Sequence, residues 1–143
     1  EQFTSYKKLI LMFQKEVADR ILAKTNSKKY GRLSVICNWK LEIKKEFDIN
    51  PQCFVPKPKV NSTLLSFVPK KEIFELNNPK NLEKITRIFF NKRRKMIKNP
   101  LKEIFKYPDK IVNNLNLDIT LRPENLSPST YFKITKEYER LRN

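Results

Sequence analysis

The chain has 143 residues, 39% hydrophobic and 32% charged, which is enough apolar material for one ordinary core or two small ones. The absence of histidine excludes serine–histidine triads, histidine metal ligands and imidazole bases. Its 31 Lys and Arg against 15 Asp and Glu produce a net charge of +16. This charge indicates a polyanionic partner, nucleic acid first and an anionic membrane surface second. A solubilising lysine-rich surface is the alternative, but it explains clustered arginines poorly.

Glycine and cysteine are scarce. Gly31 is the only glycine, whereas phosphate loops and nucleotide-cofactor turns need several, so we expect no cofactor to bind this chain. Cys37 and Cys53 are too few for an all-cysteine metal site, and two buried free thiols are favoured over a disulfide. We therefore predict no metal and a reducing, cytoplasmic location. No apolar run is long enough to span a membrane, and no signal peptide is visible.

The first half of the chain mixes strand and helix patterns. Residues 9–13 are all apolar, which is typical of a strand buried on both faces. The following patterns predict helices over 15–24 and 30–39, a strand over 41–49, an irregular proline-rich loop over 51–58 and a strand over 61–68. The alternation of the 41–49 strand slips between Ile43 and Phe47. This order describes half of an open α/β sheet, whose first strand needs further neighbours.

The second half reads as helical throughout, after a stretch of turn formers over 69–81. One helix is predicted over 81–98, with Ile85, Ile88, Phe89 and Met96 on its apolar stripe and Lys84, Arg87, Arg94 and Lys98 on the opposite side. Shorter helices are predicted over 101–105, 111–117 and 128–141. Ser127 followed by Pro128 is a favourable start for the last of these.

Several segments, taken in order, resemble one enzyme family. They are Met12-Phe13-Gln14-Lys15-Glu16-Val17-Ala18-Asp19-Arg20, Tyr30-Gly31-Arg32-Leu33-Ser34-Val35, Phe54-Val55-Pro56-Lys57-Pro58-Lys59-Val60-Asn61-Ser62, Phe90-Asn91-Lys92-Arg93-Arg94-Lys95-Met96-Ile97-Lys98-Asn99 and Arg122-Pro123-Glu124-Asn125-Leu126-Ser127. Together they resemble the C-terminal half of the small-subunit rRNA adenine N6,N6-dimethyltransferases of the kasugamycin-resistance type. Lys57 and Asn61 depart from the usual proline and aspartate of the family's loop, which affects loop stiffness and local charge.

The resemblance implies a fold of two parts, α/β plus all-α. Residues 1–69 would be the C-terminal part of a Rossmann-like methyltransferase sheet, and residues 70–143 a small helical domain that docks on rRNA. The family's reaction transfers methyl groups from S-adenosylmethionine to two adjacent adenines near the 3′ end of small-subunit rRNA. Its glycine-rich donor-binding turn, acidic ribose partner and catalytic loop would all precede residue 1. We therefore expect this chain to be a truncated form that binds RNA but is inactive alone.

The resemblance also suggests site residues, with no catalytic residue among them. Phe54, Pro56 and Pro58 would form the target-adenine pocket, because an aromatic face stabilises a base that has left its stack; a core anchor is the alternative for Phe54. The basic residues expected to contact RNA are Arg87, Arg93, Arg94, Lys95, Lys98 and Lys59. A solvated face is the alternative for them, and Arg93 could be structural. Arg32 and an Arg122–Glu124 pair are interpreted as structural.

Three other functions fit parts of the sequence. A short non-catalytic module could dock on rRNA, or on the small ribosomal subunit, during ribosome assembly. A large-subunit rRNA adenine methyltransferase of the antibiotic-resistance type shares the proline loop but not the Arg-Arg-Lys and Arg-x-Glu-x-Leu-Ser segments. A membrane-surface binder would need a broad apolar face that the basic helix lacks, so we expect no membrane partner.

Overall fold

The computed structural model describes residues 6–142 as a small antiparallel sheet followed by a group of helices. The first part contains β1 (Leu9–Gln14), α1 (Lys15–Leu22), α2 (Arg32–Lys40), β2 (Leu41–Ile49), a 3-10 turn (Pro51–Cys53) and β3 (Ser62–Pro69). The second part contains α3 (Pro79–Asn91), α4 (Lys98–Ile104), α5 (Pro108–Leu115), a 3-10 turn (Pro123–Asn125) and α6 (Pro128–Arg140). The predicted order of elements in the first part is confirmed.

The sheet has the strand order β1-β3-β2, with β3 antiparallel to both neighbours. The slip predicted in β2 is a bulge, because Lys45 pairs with Leu65 and Phe47 with Leu64, which leaves Glu46 unpaired. The expectation that β1 is buried on both faces is wrong for this chain. Its central residues Ile10, Leu11 and Met12 are 54%, 44% and 52% exposed, because β1 lies at the edge and pairs with β3 alone.

A compact apolar cluster joins one face of this sheet to α1. Ala18 and Ile21 of α1 are buried against Leu65 and Phe67 of β3. The i, i+3 spacing of Ala18 and Ile21 puts both side chains on one face of the helix. Phe13 of β1 completes the cluster by packing edge-to-face on Phe67, with ring centroids 5.9 Å apart.

The larger core lies among the helices and includes part of α2. Val35 and Trp39 of α2, with the preceding Tyr30, are buried among residues of α3 and α6. The opposite side of α2 carries Cys37, which packs against the sheet cluster. The division of the chain at residues 69 and 70 stays a prediction, and α2 contributes to the cores on both sides of it.

The helix predicted over 81–98 is wrong in its second half. Helix α3 ends at Asn91, and α4 begins at Lys98. Met96, assigned to the apolar stripe, is 53% exposed, whereas its neighbour Ile97 is fully buried and its backbone N–H donates to the Leu121 carbonyl at 2.8 Å. Tertiary packing of Ile97 therefore overrides the helical periodicity and turns the chain within residues 92–97.

Other sequence expectations have mixed outcomes. Cys37 and Cys53 are free as predicted, but neither is fully buried: Cys37 is half-buried, and Cys53 is exposed on the 3-10 turn after β2. Within residues 6–142, no helix is long and apolar enough to cross a membrane. Over the same residues, no three or more Cys, Asp or Glu side chains cluster so as to hold a metal ion. Ser127 caps α6 as predicted, since its hydroxyl accepts from the Thr130 N–H at 3.2 Å.

A buried carboxylate of α6 holds the start of α3. The Glu139 side chain, 4% exposed, accepts hydrogen bonds from the backbone N–H groups of Asn77 and Asn78 at 2.8 and 3.0 Å and from Asn81 Nδ2 at 3.0 Å. Burial raises the pKa of Glu139, but these hydrogen bonds outweigh burial and leave the pKa below its usual value. The negative charge also lies at the helix N-terminus, where the backbone dipoles favour it.

Replacing this carboxylate should therefore destabilise the helical part. We expect Glu139→Gln to lower the free energy of unfolding by about 1–3 kcal/mol at pH 7, because a buried, charged acceptor of three hydrogen bonds becomes a neutral amide with one acceptor oxygen. The folded pKa is lowered, so the wild-type contribution is complete above about pH 5 and lost as the pH falls through the folded pKa. Urea unfolding at pH 7 and pH 3 measures both effects. The exposed Glu83→Gln is the matched control, and an equal loss in both variants would contradict the prediction.

Candidate RNA-binding surface

The proline-rich loop follows β2 at one particular edge of the sheet. Both β1 and β2 run antiparallel to β3, so they are parallel to each other, and their last residues Gln14 and Ile49 both pair with Ser62. The loop between Ile49 and Ser62 therefore lies at the carboxyl ends of β1 and β2, which is where open α/β sheets bind ligands. The Asn61 carbonyl accepts from the Lys15 N–H at 2.9 Å, which fixes the loop beside the start of α1.

The predicted pocket residues all lie on this loop. Phe54 is half-buried, Pro58 is half-buried and Pro56 is exposed after a cis peptide bond with Val55. Val55 is fully exposed. Lys59 is exposed and lines a shallow groove with Lys15 and Asp19 of α1. The adenine-stacking role of Phe54 and the phosphate role of Lys59 stay predictions.

The basic residues after α3 lie on a turn rather than on a helix. Residues 92–97 connect α3 to α4, and hydrogen bonds from Lys92 N–H to the Phe89 carbonyl (3.0 Å) and from Lys95 N–H to the Lys92 carbonyl (2.8 Å) shape the turn. The side chain of Lys92 pairs with Glu103 of α4. Arg94 and Lys95 are exposed on this turn, and the prediction that Arg94 shares one helical stripe with Lys84 and Arg87 is wrong.

Arg93 has partners within the protein. Its Nε donates to Glu124 Oε2 at 2.9 Å, and its Nη2 lies 2.8 Å from the same oxygen as an ion pair. Nη2 donates to the carbonyl oxygens of Lys28 and Ser27 at 2.5 and 3.4 Å. One guanidinium thus joins the turn after α3, the segment before α2 and the 3-10 turn before α6. This geometry favours the structural alternative for Arg93, and its contact with RNA stays a prediction. The expected Arg122–Glu124 pair is wrong, because Glu124 pairs with Arg93 instead.

The remaining predicted cations are free to meet an anion. Arg87, Arg94, Lys95 and Lys98 are exposed, and none forms an ion pair with a carboxylate in the described part of the chain. Arg94, Lys95 and Lys98 follow one another closely along the turn and into α4. We define these three as the basic turn. Exposed cations without internal partners can neutralise successive phosphates of a nucleic acid.

A second positive surface was not assigned to RNA by sequence reasoning. An open groove of 830 Å³ is lined by Arg20 of α1, Lys28, Lys29 and Arg32 before and in α2, and Arg93. Arg20 and Lys29 have carboxylate partners, Glu16 and Asp19, and the Lys29 hydrogen bond holds the pKa of Asp19 below its usual value. Arg93 connects this groove to the basic turn. The pair Lys28-Lys29 before Tyr30 was the only sequence signal for it.

The segment over 122–127 is locked into this arrangement. Tyr30 Oη donates to the Leu126 carbonyl at 2.8 Å, and Tyr131 Oη donates to the Pro123 carbonyl at 2.7 Å. Burial raises the pKa of Tyr30 to about 12, so its hydroxyl stays protonated as a donor at neutral pH. The Asn26 N–H donates to the Glu124 carbonyl at 2.9 Å. The carboxylate that holds Arg93 is therefore itself rigidly placed.

Comparison with known proteins assigns the chain to a family. The family model for ribosomal RNA adenine dimethylase matches residues 1–140. The chain belongs to the ribosomal RNA adenine dimethylase family. Its relatives include ribosomal RNA small subunit methyltransferase A of Pelagibacter ubique, 55% identical over 134 residues, with 94% of this chain and 51% of the relative covered. The Ehrlichia ruminantium protein of the same name is 49% identical over 119 residues, with 82% and 45% covered.

Two solved structures have a similar fold. A dimethyladenosine transferase from Plasmodium falciparum superposes with a TM-score of 0.82 at 25% identity, over 94% of this chain and 58% of that one. The 23S rRNA methyltransferase ErmE superposes with a TM-score of 0.61 at 17% identity, which shows a shared fold only. The chain spans about half the length of the curated relatives it matches.

The described residues do not fit the methyl donor that the dimethylase family implies. Gly31 begins α2 with an extended φ of −172°, and a Cβ added there would meet nothing within 4 Å. It is therefore not a position where the backbone must approach a cofactor. Strand β1 passes directly into α1 through Gln14, without a glycine-rich turn.

The Arg93 network predicts a difference between two adjacent arginines. We expect Arg93→Ala to lower the free energy of unfolding by about 1–2 kcal/mol, because Glu124 and two carbonyl groups lose a charged donor while remaining partly solvated. The exposed, unpaired Arg94→Ala should stay within about 0.5 kcal/mol of wild type. Urea denaturation followed by Trp39 fluorescence compares them, and equal stability of the two variants would rule out the structural role of Arg93.

Proposed function

We propose that this chain is the RNA-docking and substrate-loop part of a small-subunit rRNA adenine N6-dimethyltransferase. The whole enzyme would transfer methyl groups from S-adenosylmethionine to two adjacent adenines near the 3′ end of small-subunit rRNA. The observation that carries this proposal is the 55% identity, over nearly the whole chain, to a ribosomal RNA small subunit methyltransferase A. An rRNA substrate would also be consistent with the predicted cytoplasmic location.

Within this function, the parts of the chain have separate roles. Residues 1–69 would complete a Rossmann-like sheet and present Phe54, Pro56 and Pro58 to the target adenine at the carboxyl edge. The basic turn, together with Arg87 of α3, would bind phosphates, because these cations are exposed and have no carboxylate partner within residues 6–142. Arg93 would hold the turn in place rather than compete for the same phosphates.

Two of the three rival functions, the large-subunit enzyme and the non-catalytic module, have weaker support. The identities of 49% and 55% are to proteins named for the small subunit, whereas the large-subunit enzyme ErmE matches at 17%. A non-catalytic assembly module would use the same basic turn. Supplying the donor-binding half of a relative, as a separate chain or by fusion, would distinguish the proposed dimethyltransferase from the assembly module. Only a dimethyltransferase would then methylate rRNA.

RNA binding by the basic turn is tested through its salt dependence. We expect wild-type protein to bind the 3′-terminal stem of small-subunit rRNA more tightly than a scrambled RNA of equal length. Replacing Arg94 and Lys95 by Gln should weaken binding and reduce the slope of log K against log salt by roughly 1.4–1.8, the sum of two phosphate contacts. Fluorescence anisotropy at several salt concentrations measures the slope.

The control for that experiment is a second pair of exposed lysines. Lys133→Gln with Lys136→Gln, on α6, removes the same formal charge. A general charge effect would lower affinity equally in both double variants. That outcome would contradict a specific role for the basic turn while leaving the family assignment intact.

Donor binding is expected to be absent from this chain. Titration calorimetry with S-adenosylmethionine should show no heat of binding, because the residues that the structure describes form no glycine-rich turn after a strand. S-adenosylhomocysteine serves as a second probe of the same site. Stoichiometric binding of either compound would overturn this expectation.

A further inference from the structure

A groove on the helical part shares no lining residue with the basic turn. It has a volume of 600 Å³ and lies between α3, the α4–α5 connection and the end of α6. Its basic lining residues are Lys84, Lys106 and Arg142. Glu103, which also lines the groove, is paired with Lys92 of the turn after α3. The groove is therefore positively charged.

Two of these cations converge on one buried hydroxyl. Lys84 Nζ donates to Tyr138 Oη at 2.8 Å, and Arg142 Nη1 donates to the same oxygen at 2.6 Å. Tyr138 is 6% exposed, so its position is fixed by the core, where its ring packs edge-to-face on Phe105. Neither cation forms an ion pair with a carboxylate in the described part of the chain.

This arrangement has a chemical consequence. Two positive charges held beside one neutral oxygen repel each other, and an anion placed between them would relieve that repulsion. The hydroxyl accepts both hydrogen bonds, so its own proton remains available to a further acceptor. A phosphate oxygen suits such a site, since it can accept from an ammonium, a guanidinium and a phenol together.

An exposed aromatic ring lies at the same groove. Tyr107 is 58% exposed and lines the groove beside Phe105 and Lys106. The ammonium groups of Lys106 and Lys110 lie 5.4 and 5.2 Å from its ring centroid. An exposed ring flanked by lysines can stack on an unpaired base while the lysines move to the adjoining phosphates.

We propose that this groove is a second RNA-binding site that takes an unpaired nucleotide. The base stacks on Tyr107, and a neighbouring phosphate binds between Lys84 and Arg142 with Tyr138 as a donor. Single-stranded RNA is favoured over duplex, because a base within a duplex cannot present its face to a side chain. The site deepens the proposed function and rests on it, since it adds a single-stranded contact to an rRNA-binding protein.

The test uses the whole chain and an unstructured RNA of about ten nucleotides, within the site sizes known for single-strand binders. Tyr107→Leu should weaken binding at least about 5-fold, the lower end for loss of a stacked base, whereas Tyr107→Phe should keep wild-type affinity. A ribose-phosphate chain without bases should bind Tyr107→Leu and wild type equally. Ultraviolet crosslinking to uridine RNA, mapped by mass spectrometry, should label residue 107.

The phosphate contact has its own variants. Lys84→Gln should reduce the slope of log K against log salt by roughly 0.7, the value for one single-strand phosphate. The matched control is Lys80→Gln, since Lys80 is exposed on the same helix outside the groove. Its slope of log K against log salt should stay closer to the wild-type slope. Tyr138→Phe removes the hydroxyl but keeps the ring, and should also weaken RNA binding while circular dichroism stays unchanged.

The outcomes separate this site from the proposed function. RNA affinity could be unchanged in Tyr107→Leu and Lys84→Gln but lost in the Arg94→Gln, Lys95→Gln double variant. That result would overturn the proposed RNA site in the groove and leave the proposed role of the basic turn intact. Loss in the groove variants alone would support the groove and overturn the role of the basic turn. Binding of inorganic phosphate without any effect of Tyr107 on RNA affinity would show an anion site only, and would also overturn the proposal.

Discussion

The burial of α2 on two sides is the constraint on which the arrangement depends. Its Val35 and Trp39 face the helical core, and Cys37 on another side contacts the sheet cluster. Ser34 Oγ donates to the Arg20 carbonyl at 2.6 Å, and Trp39 Nε1 donates to the Phe74 carbonyl at 2.7 Å. One short helix therefore carries hydrogen bonds to both halves of the chain, and a shift of α2 would disturb both cores together.

The same constraint explains why the candidate surface is composite. Tyr30, just before α2, binds the Leu126 carbonyl, and the segment that contains Leu126 supplies Glu124 to Arg93. Residues distant in sequence are thus brought to one region through hydrogen bonds to backbone carbonyls. The loop with Phe54 lies instead at the carboxyl edge of the sheet. A single RNA would therefore have to extend from the region around Arg93 to this edge in order to contact both.

Local signals sufficed for much of the fold. The slip in alternation between Ile43 and Phe47 coincides with the bulge in β2, and Ser127-Pro128 predicted the start of α6, because each feature is set by neighbours in sequence. The end of α3 at Asn91 escaped prediction, since it depends on where Ile97 finds its core partners. The exposure of β1 was also not predicted, because an apolar sequence indicates that a strand favours burial but does not show which neighbouring elements cover it.

The candidate site shows the same division. Sequence clustering identified the cationic residues after α3, and the structure describes Arg94, Lys95 and Lys98 as exposed. Sequence reasoning left open a structural role for Arg93 but could not identify its partner Glu124, which is 31 residues away. The groove of Tyr107 was missed for a similar reason, since Lys84, Tyr107 and Arg142 come from three separate segments.

The turn after α3 is held at both ends, by Arg93 on Glu124 and by Ile97 in the core. The backbone that carries Arg94 and Lys95 is therefore ordered when the protein folds, and little of its conformational entropy remains to be lost on contact with a ligand. A flexible basic tail of equal charge would lose that entropy at each binding event. The turn thus acts as a preorganised element, in which only the side chains of Arg94 and Lys95 must still be immobilised.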